Sequence, residues 1–316
     1  MQSSPPSSTR SAPLVIGTRG SPLALAQAKE VRDRLAATHA FAAEGIELEV
    51  IRTTGDIIRD RPLAEAGGKG LFTKEIEEAL IAGAIDLAAH SAKDMPTILP
   101  PGLVIAAVLP REDARDVFIS PKAKTLADLP PGATVGTASL RRQALVKRLR
   151  GDLAVVPMRG NVETRLRKLA AGEVDAVVLA LAGLKRLGLA DAATMVIPVD
   201  EFLPAVGQGI IAIEARGDDE RTLALLAAVN HADTAAALTA ERAFLTVLEG
   251  SCRTPIAGHA VVAAGRLRFH GLIAKPDGSG VFEAKRQGAA ADAVRLGAEA
   301  GRELKQRAGA DFFAPV

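Results

Sequence analysis

The chain contains no tryptophan and no tyrosine, and its nine phenylalanines are its only aromatic residues. That scarcity argues against a single-stranded nucleic-acid binder, which stacks bases on aromatic platforms. Net charge is nearly absent as well. Lys and Arg number 39 against 37 Asp and Glu, a formal +2, so no global field draws in a polyanion and anion recognition has to be local. The lone cysteine, Cys252, excludes an intramolecular disulfide framework and suits a reducing compartment. No run of about 18 apolar residues occurs, so no membrane-spanning helix is expected. The opening MQSSPPSSTRS is polar and has no apolar core, so residues 1–12 read as a disordered tail rather than a secretory signal. Cytoplasm is the expected compartment. The histidines, at positions 39, 90, 231, 259 and 270, have no metal-ligand spacing, and no metal is expected. GGKGLF lacks the phosphate-loop spacing and GTRGSP is not a dinucleotide fingerprint, which argues against a nucleotide cofactor.

What is present is a succession of α/β units. A length of 316 residues is too great for one ordinary core and suggests two or three domains. Leu14 to Thr18 reads as a buried strand. Ser21 as N-cap and Pro22 at the first helical position start a helix reaching about His39, with Leu23, Ala26, Val31 and Leu35 on its buried face. Ile46 to Ile51 alternates as a second strand. The Gly-rich stretch around Lys69 lies on a loop longer than packing requires, which suggests a lid. Phe72 opens a helix to about Ala82, and Val104 to Leu109 is a strand, followed by the charged turn PREDARD as a hinge. A second α/β unit runs from about Arg115 to Val199. The Gly-rich, then apolar segment Phe202 to Ala215 looks like a crossover back into the first sheet. After helices through Leu248 come strands at Ala260 to Ala264, Leu267 to Ala274 and Val281 to Lys285, and a final helix from about Ala291 to Ala308.

Candidate chemistry gathers where strands end. DLAAHSAKDMP, Asp86 to Pro96, starts as an apolar strand and ends in His90, Ser91, Lys93 and Asp94, a pattern that presents polar groups at a sheet's carboxyl edge. Asp94 reads either as a turn cap or as a working carboxylate, and this stretch alone leaves both open. Arg19 and Ser21 stand at a helix N-terminus, a natural anion site. Ser139 caps a helix whose first turn carries Arg141 and Arg142, where the dipole disfavours cations. An anionic ligand explains that pair better than helix stability does. Arg159 and Arg165 repeat the design at the next strand-to-helix junction, while Lys185 and Arg186 sit at a helix end that suits them. Guanidinium forks point to a ligand rich in carboxylate or phosphate. Cys252 reads as a small buried apolar side chain or, with Arg253 beside it, as a reactive thiolate.

Several motifs taken together resemble one family. They are IGTRGSPLALAQ (16–27), TTGD (53–56), GGKGLFTKEIE (67–77), HSAKDMP (90–96), RED (111–113), GTASLRRQ (136–143), RGNVETRLRKL (159–169), AGLKRLGL (182–189), LPAVGQGIIAIE (203–214) and the Cys252 loop. Their order and content are similar to the hydroxymethylbilane synthase, or porphobilinogen deaminase, family over all but the N-terminal tail. The resemblance implies an α/β fold with two periplasmic-binding-protein-like lobes plus a smaller α+β C-terminal domain. On this chain that means residues 13–110 with 207–228, then 111–206, then 229–316. It implies a transferase that joins four porphobilinogen molecules in succession onto a dipyrromethane cofactor, each losing ammonia, and releases the linear tetrapyrrole by hydrolysis.

Carried over residue by residue, the resemblance makes Cys252 the thioether attachment point and Asp94 the catalytic carboxylate. Arg19, Ser21, Lys93, Ser139, Arg141, Arg142, Arg159, Arg165 and Arg186 match positions that bind acetate and propionate groups. Lys69 and Phe72 match the active-site loop. Ala138 departs from a serine frequent in relatives, and Ser251 from a glycine. Porphobilinogen is the expected partner, with no nucleic acid, no membrane and a monomeric state. The competing reading is a non-catalytic two-lobed anion-binding or sensor protein, which accounts for the arginines but not for Cys252.

Overall fold

A computed structural model describes residues 13–39, 45–57, 71–249, 254–309 and 312. Strand β1 (Leu14–Thr18) is buried along most of its length. Helix α1 (Pro22–His39) follows, with the Ala24 N–H donating to Ser21 Oγ at 3.3 Å, which is the expected cap. Its buried face is Ala24, Gln27, Ala28, Val31 and Leu35. The expected Leu23 and Ala26 are only half-buried, because small residues let α1 lie close on the sheet while Leu23 turns toward Gly183, 3.6 Å from where a Cβ would stand. Then come β2 (Ile46–Val50), α2 (Thr54–Ile57), α3 (Lys74–Ile81), β3 (Leu87–Ser91) and β4 (Leu103–Val108). Phe72 lies in the turn before α3 rather than in the helix. It is held there by the TTGD motif: the Gly55 N–H donates to the Leu71 carbonyl at 2.7 Å, and a Cβ on Gly55 would meet the Phe72 ring at 2.4 Å.

The chain next builds β5 (Asp116–Ile119), β6 (Thr134–Gly136), α4 (Leu140–Leu149), β7 (Ala154–Val156), α5 (Val162–Ala170), β8 (Ala176–Ala180), α6 (Leu181–Arg186) and β9 (Met195–Val196). It returns through β10 (Ile211–Arg216) to α7 (Glu220–Ala227) and α8 (Ala232–Val247). The two five-stranded sheets have the orders β2-β1-β3-β10-β4 and β7-β6-β8-β5-β9. In each, three parallel strands are followed by one antiparallel strand that has just crossed from the other lobe, β10 in the first and β5 in the second. The crossover expected at Phe202 to Ala215 is this β10 return. Parallel strands put their carboxyl ends at one edge, so both lobes present their β-to-α loops to a shared cleft.

The third unit is an antiparallel sheet of β11 (Ile256–Ala263), β12 (Arg266–Ala274) and β13 (Val281–Ala289), covered by α8 and α9 (Ala293–Ala308). Strand β11 begins earlier than its alternation suggests, since Gly258 makes room for Val206 and Phe244. Helices α8 and α9 pack closely at Gly297, where a Cβ would lie 2.0 Å from the Ala240 carbonyl oxygen. Gly297→Ala therefore forces the helices apart. We expect a cost of about 1–3 kcal/mol, read as a lowered Tm in thermal unfolding.

One ion pair joins the three units. Arg111, at the first crossing, reaches Glu241 of α8 at 2.5 Å and donates to the Gln208 carbonyl at 2.8 Å. The fully buried Glu241 also accepts the Gly207 N–H at 2.6 Å and the Ala260 N–H at 2.7 Å. Apolar packing runs on across the same junction, because Ala257, Leu272 and Ala274 of the third sheet share a core with Phe118, Val135 and Phe202.

Candidate active site

The end of β3 is clamped on both sides. Gln27 of α1 donates to Ser91 Oγ at 2.8 Å, and the Ala92 N–H donates to the Ile210 carbonyl at 3.0 Å. Gly207, at φ +72°, passes so close that a Cβ would stand 3.0 Å from Ala92 and from the Lys93 nitrogen. These contacts hold a short 3₁₀ turn, Ala92–Asp94, whose last residue is exposed. Asp94 lines an open cleft together with Arg19, Ser21, Leu23, Gln27, Phe72, Thr73, His90 and Ser91. The Arg19 guanidinium lies over the Phe72 ring at 4.2 Å, a cation–π contact.

The second lobe brings its cations to the same place. Ser139 caps α4 by accepting the Arg142 N–H at 3.4 Å, which fixes Arg141 and Arg142 in the first turn. Both are buried, and their counter-ion is internal. Asp116 at the start of β5 accepts from Arg141 Nη2 and Arg142 Nη2 at 2.7 Å each, and from Gln208 Nε2 at 3.1 Å. Arg141 donates further to the Leu203 carbonyl at 2.7 Å, which leaves its buried Nε without a partner. The pair therefore has an internal anchor that the sequence reading did not include: Asp116 holds it against the helix dipole. Burial pushes the Asp116 carboxyl up, and the two guanidiniums override that and hold it below its usual range.

Lys93 and Arg165 complete the set. Burial lowers the Lys93 ammonium to about 8, with Asp94 opposing the shift and Arg142 and Arg141 reinforcing it. Burial likewise lowers Arg165 to about 10, and here Arg142 and Arg159 add to the effect while Asp94 opposes it. Arg165 is steered by its own loop, its Nε donating to the Gly160 carbonyl at 2.9 Å. Among the described residues, the carboxylates that act on Lys93, Arg141, Arg142 and Arg165 are Asp94 and Asp116. Such an excess of positive charge in a half-buried cleft fits a ligand carrying several carboxylates.

Of the sequence-derived candidates, the structure gathers Arg19, Ser21, Phe72 and Asp94 on one wall, and Lys93, Ser139, Arg141, Arg142, Arg159 and Arg165 around the cationic side. Arg186 stands apart. It spans the lobes, its Nε 3.1 Å from Glu30 on α1 and its Nη2 on the Gly209 carbonyl at 3.2 Å, while Lys185 pairs with Glu112 at 2.7 Å. Cys252 and Lys69 lie outside the described residues. The sequence reading missed Asp116 and Gln208 as the anchor of the arginine pair. The available signal was an aspartate opening an otherwise apolar strand, DVFI, and a glutamine between two glycines in VGQG.

A family model described as "Porphobilinogen deaminase, dipyromethane cofactor binding domain" matches residues 14–224, and one described as "Porphobilinogen deaminase, C-terminal domain" matches residues 235–306. A porphobilinogen deaminase of Nitrobacter winogradskyi is 64% identical over 298 residues, 94% of this chain and 94% of that protein. Another, of Paracoccus denitrificans, is 56% identical over 301 residues, 95% and 96% of the two chains. Among solved structures, a periplasmic substrate-binding protein of an ABC transporter from Coxiella burnetii overlaps 68% of this chain and 91% of its own, at 16% identity and a TM-score of 0.42.

Proposed function

The chain belongs to the porphobilinogen deaminase family, and we infer that its cleft carries out the hydroxymethylbilane synthase reaction with Asp94 as the working carboxylate. The reaction condenses four porphobilinogen molecules in turn, each with loss of ammonia, and releases a linear tetrapyrrole by hydrolysis. The observation that carries the assignment of Asp94 is its position, exposed at a clamped strand end and facing a cationic excess from the opposite lobe. Each pyrrole ring brings an acetate and a propionate, so a growing chain accumulates negative charge. Arg19, Ser21, Lys93, Ser139, Arg141, Arg142, Arg159 and Arg165 hold these carboxylates in this reading. Arg186 joins them on exchanging Glu30 for a ligand carboxylate. Asp94 offsets the positive charge that develops on ring nitrogen as ammonia leaves and the next ring attacks.

Dipyrromethane is the family's cofactor, and when bound it supplies the pyrrole carbon on which the chain starts. The donors present suit it: the partnerless Arg141 Nε and the lowered Lys93 and Arg165 lack enough internal anions. We assign its thioether attachment to Cys252 and the covering loop to Lys69 and Phe72. We also assign residues 13–110 with 207–228 to the first lobe, 111–206 to the second and 229–316 to the third unit. A monomer working in the cytoplasm completes the reading, supported by a single cysteine that suits a reducing compartment.

Intact mass tests the attachment. The purified protein should exceed its sequence mass by one dipyrromethane, and Cys252→Ser should abolish the excess. An unmodified wild-type protein would remove Cys252 from this role. Lys93 adds a pH test. Its ammonium loses charge as pH rises past about 8, and a neutral amine cannot pair with a carboxylate. The KM for porphobilinogen should therefore climb above that pH, and Lys93→Met should start high and stay flat. A KM that does not change across this range would remove Lys93 as a carboxylate ligand.

A further inference from the structure

Behind the wall of the reaction pocket lies a buried polar cluster that the steps above do not use. His90 lines the pocket and turns its Nε2 back to Glu214 Oε2 at 3.1 Å, with side-chain exposures of 4% and 0%. The contact is at ion-pair distance but lacks hydrogen-bond alignment, and both Glu214 oxygens are buried without a hydrogen-bond partner. Pairing of β3 with β10 creates the juxtaposition. Glu214 stands opposite Ala88, two residues before His90 and on the same face of the sheet. Helix α3 covers that face and adds Glu77, buried at 7% exposure, whose Oε1 also lacks a partner. Thr73, the residue before α3, lines the pocket too, and its buried hydroxyl caps no helix N–H.

Among the described residues, few charged groups face the cluster. Arg242 of α8 feels Glu214 but donates Nη2 to the Pro96 and Thr97 carbonyls at 2.9 Å each. Glu75 of α3 gives one oxygen to Thr54, while its other oxygen is buried without a partner and adds to the negative charge near Glu77. Glu77 sits beside a second buried carboxylate with few donors in a dry interior, which favours its neutral form. Burial raises the Glu77 carboxyl and outweighs the Thr73 hydroxyl, which lowers it, while Glu214 raises it further and His90 opposes.

We propose that His90, backed by Glu214 and Glu77, accepts the proton that the ring α-carbon loses after each new carbon–carbon bond forms. The inference rests on the deaminase reading above. In the step, the aminomethyl group, in its ammonium form, gives the C–N electron pair to nitrogen, which departs as ammonia. The α-carbon of the preceding ring then bonds to the freed methylene carbon. That α-carbon still bears its hydrogen, and loss of it as a proton returns the C–H pair to the ring and restores aromaticity. The proton passes to His90, is shared with Glu214 and Glu77, and leaves on ammonia as ammonium, so the cluster starts each cycle unchanged. Asp94 takes no part in this transfer and acts on the ring nitrogens.

Two measurements test this. The first is infrared difference spectroscopy on the purified protein without substrate, at neutral pH. It should show a protonated carboxyl band that Glu77→Gln removes. Absence of the band would overturn the proposal. The second uses porphobilinogen deuterated at its free α-carbon. In the wild type, ammonia release should show little isotope effect. In His90→Gln, ammonia release should fall by about a hundredfold, and a primary isotope effect should appear because proton removal has become limiting. Glu77→Gln matches the shape of the neutral acid and decides the matter if His90→Gln does not fold. It should also acquire an isotope effect, with a smaller rate loss. A folded variant that loses rate without an isotope effect, or loses none, would overturn the relay. A wild type releasing no ammonia would instead refute the deaminase reading itself.

Discussion

Asp94→Ala is expected to retain the wild-type mass excess and melting temperature while ammonia release from porphobilinogen falls by about 10²–10⁴-fold. The fold is spared because Asp94 is exposed and its turn is held by others, namely Ser91 on Gln27, Ala92 on Ile210, and Gly207 packed against Lys93. The rate suffers because the surrounding cleft is cationic. Without Asp94, Lys93, Arg142 and Arg165 face a ring that must itself become positive. Asp94→Glu keeps the charge but moves it by one methylene, and should keep a little turnover. Wild-type turnover in the alanine variant would end the catalytic assignment.

Asp116→Ala should have the opposite profile, with stability lost first. Asp116 is fully buried and is the counter-ion for two buried guanidiniums. Removing it leaves both uncompensated, a loss of about 3–5 kcal/mol, equivalent to a fall in Tm of roughly 10 °C. Arg141→Leu should be milder, since Asp116 keeps Arg142 and Gln208, but it removes a cleft donor and should impair loading of the cofactor. Thermal unfolding and intact mass of the two variants read these effects separately. An Asp116→Ala protein as stable as wild type would show that the node contributes nothing to the fold.

Local signals made much of the fold legible. Ser21, Pro22 and the apolar run before them mark β1 and α1, and Ser139 marks the start of α4, because caps act within a few residues. The fold class was readable because alternating strands and helices in two blocks, followed by strands joined by tight turns, leave few architectures. What was not readable depends on partners far along the chain. That Arg141 and Arg142 have an internal counter-ion depends on β5, which delivers Asp116 from 25 residues away. Arg186 likewise takes its partner from a distant element, Glu30 of α1. The pair His90 and Glu214 arises from the antiparallel return of β10, whose order between β3 and β4 no periodicity reveals. The burial of α1 was shifted by a like cause, because Leu23 answers to the opposite lobe and not to its own sheet.

The most direct test of Asp94 as the working carboxylate is a stoichiometry. Wild-type protein and Asp94→Ala, each verified by mass to carry its dipyrromethane, are supplied with porphobilinogen, and ammonia and linear tetrapyrrole are measured together. The wild type should release four ammonia molecules for each tetrapyrrole, and the variant almost none of either. Equal release by both proteins, or a loaded wild type that binds porphobilinogen and yields no ammonia, would contradict it.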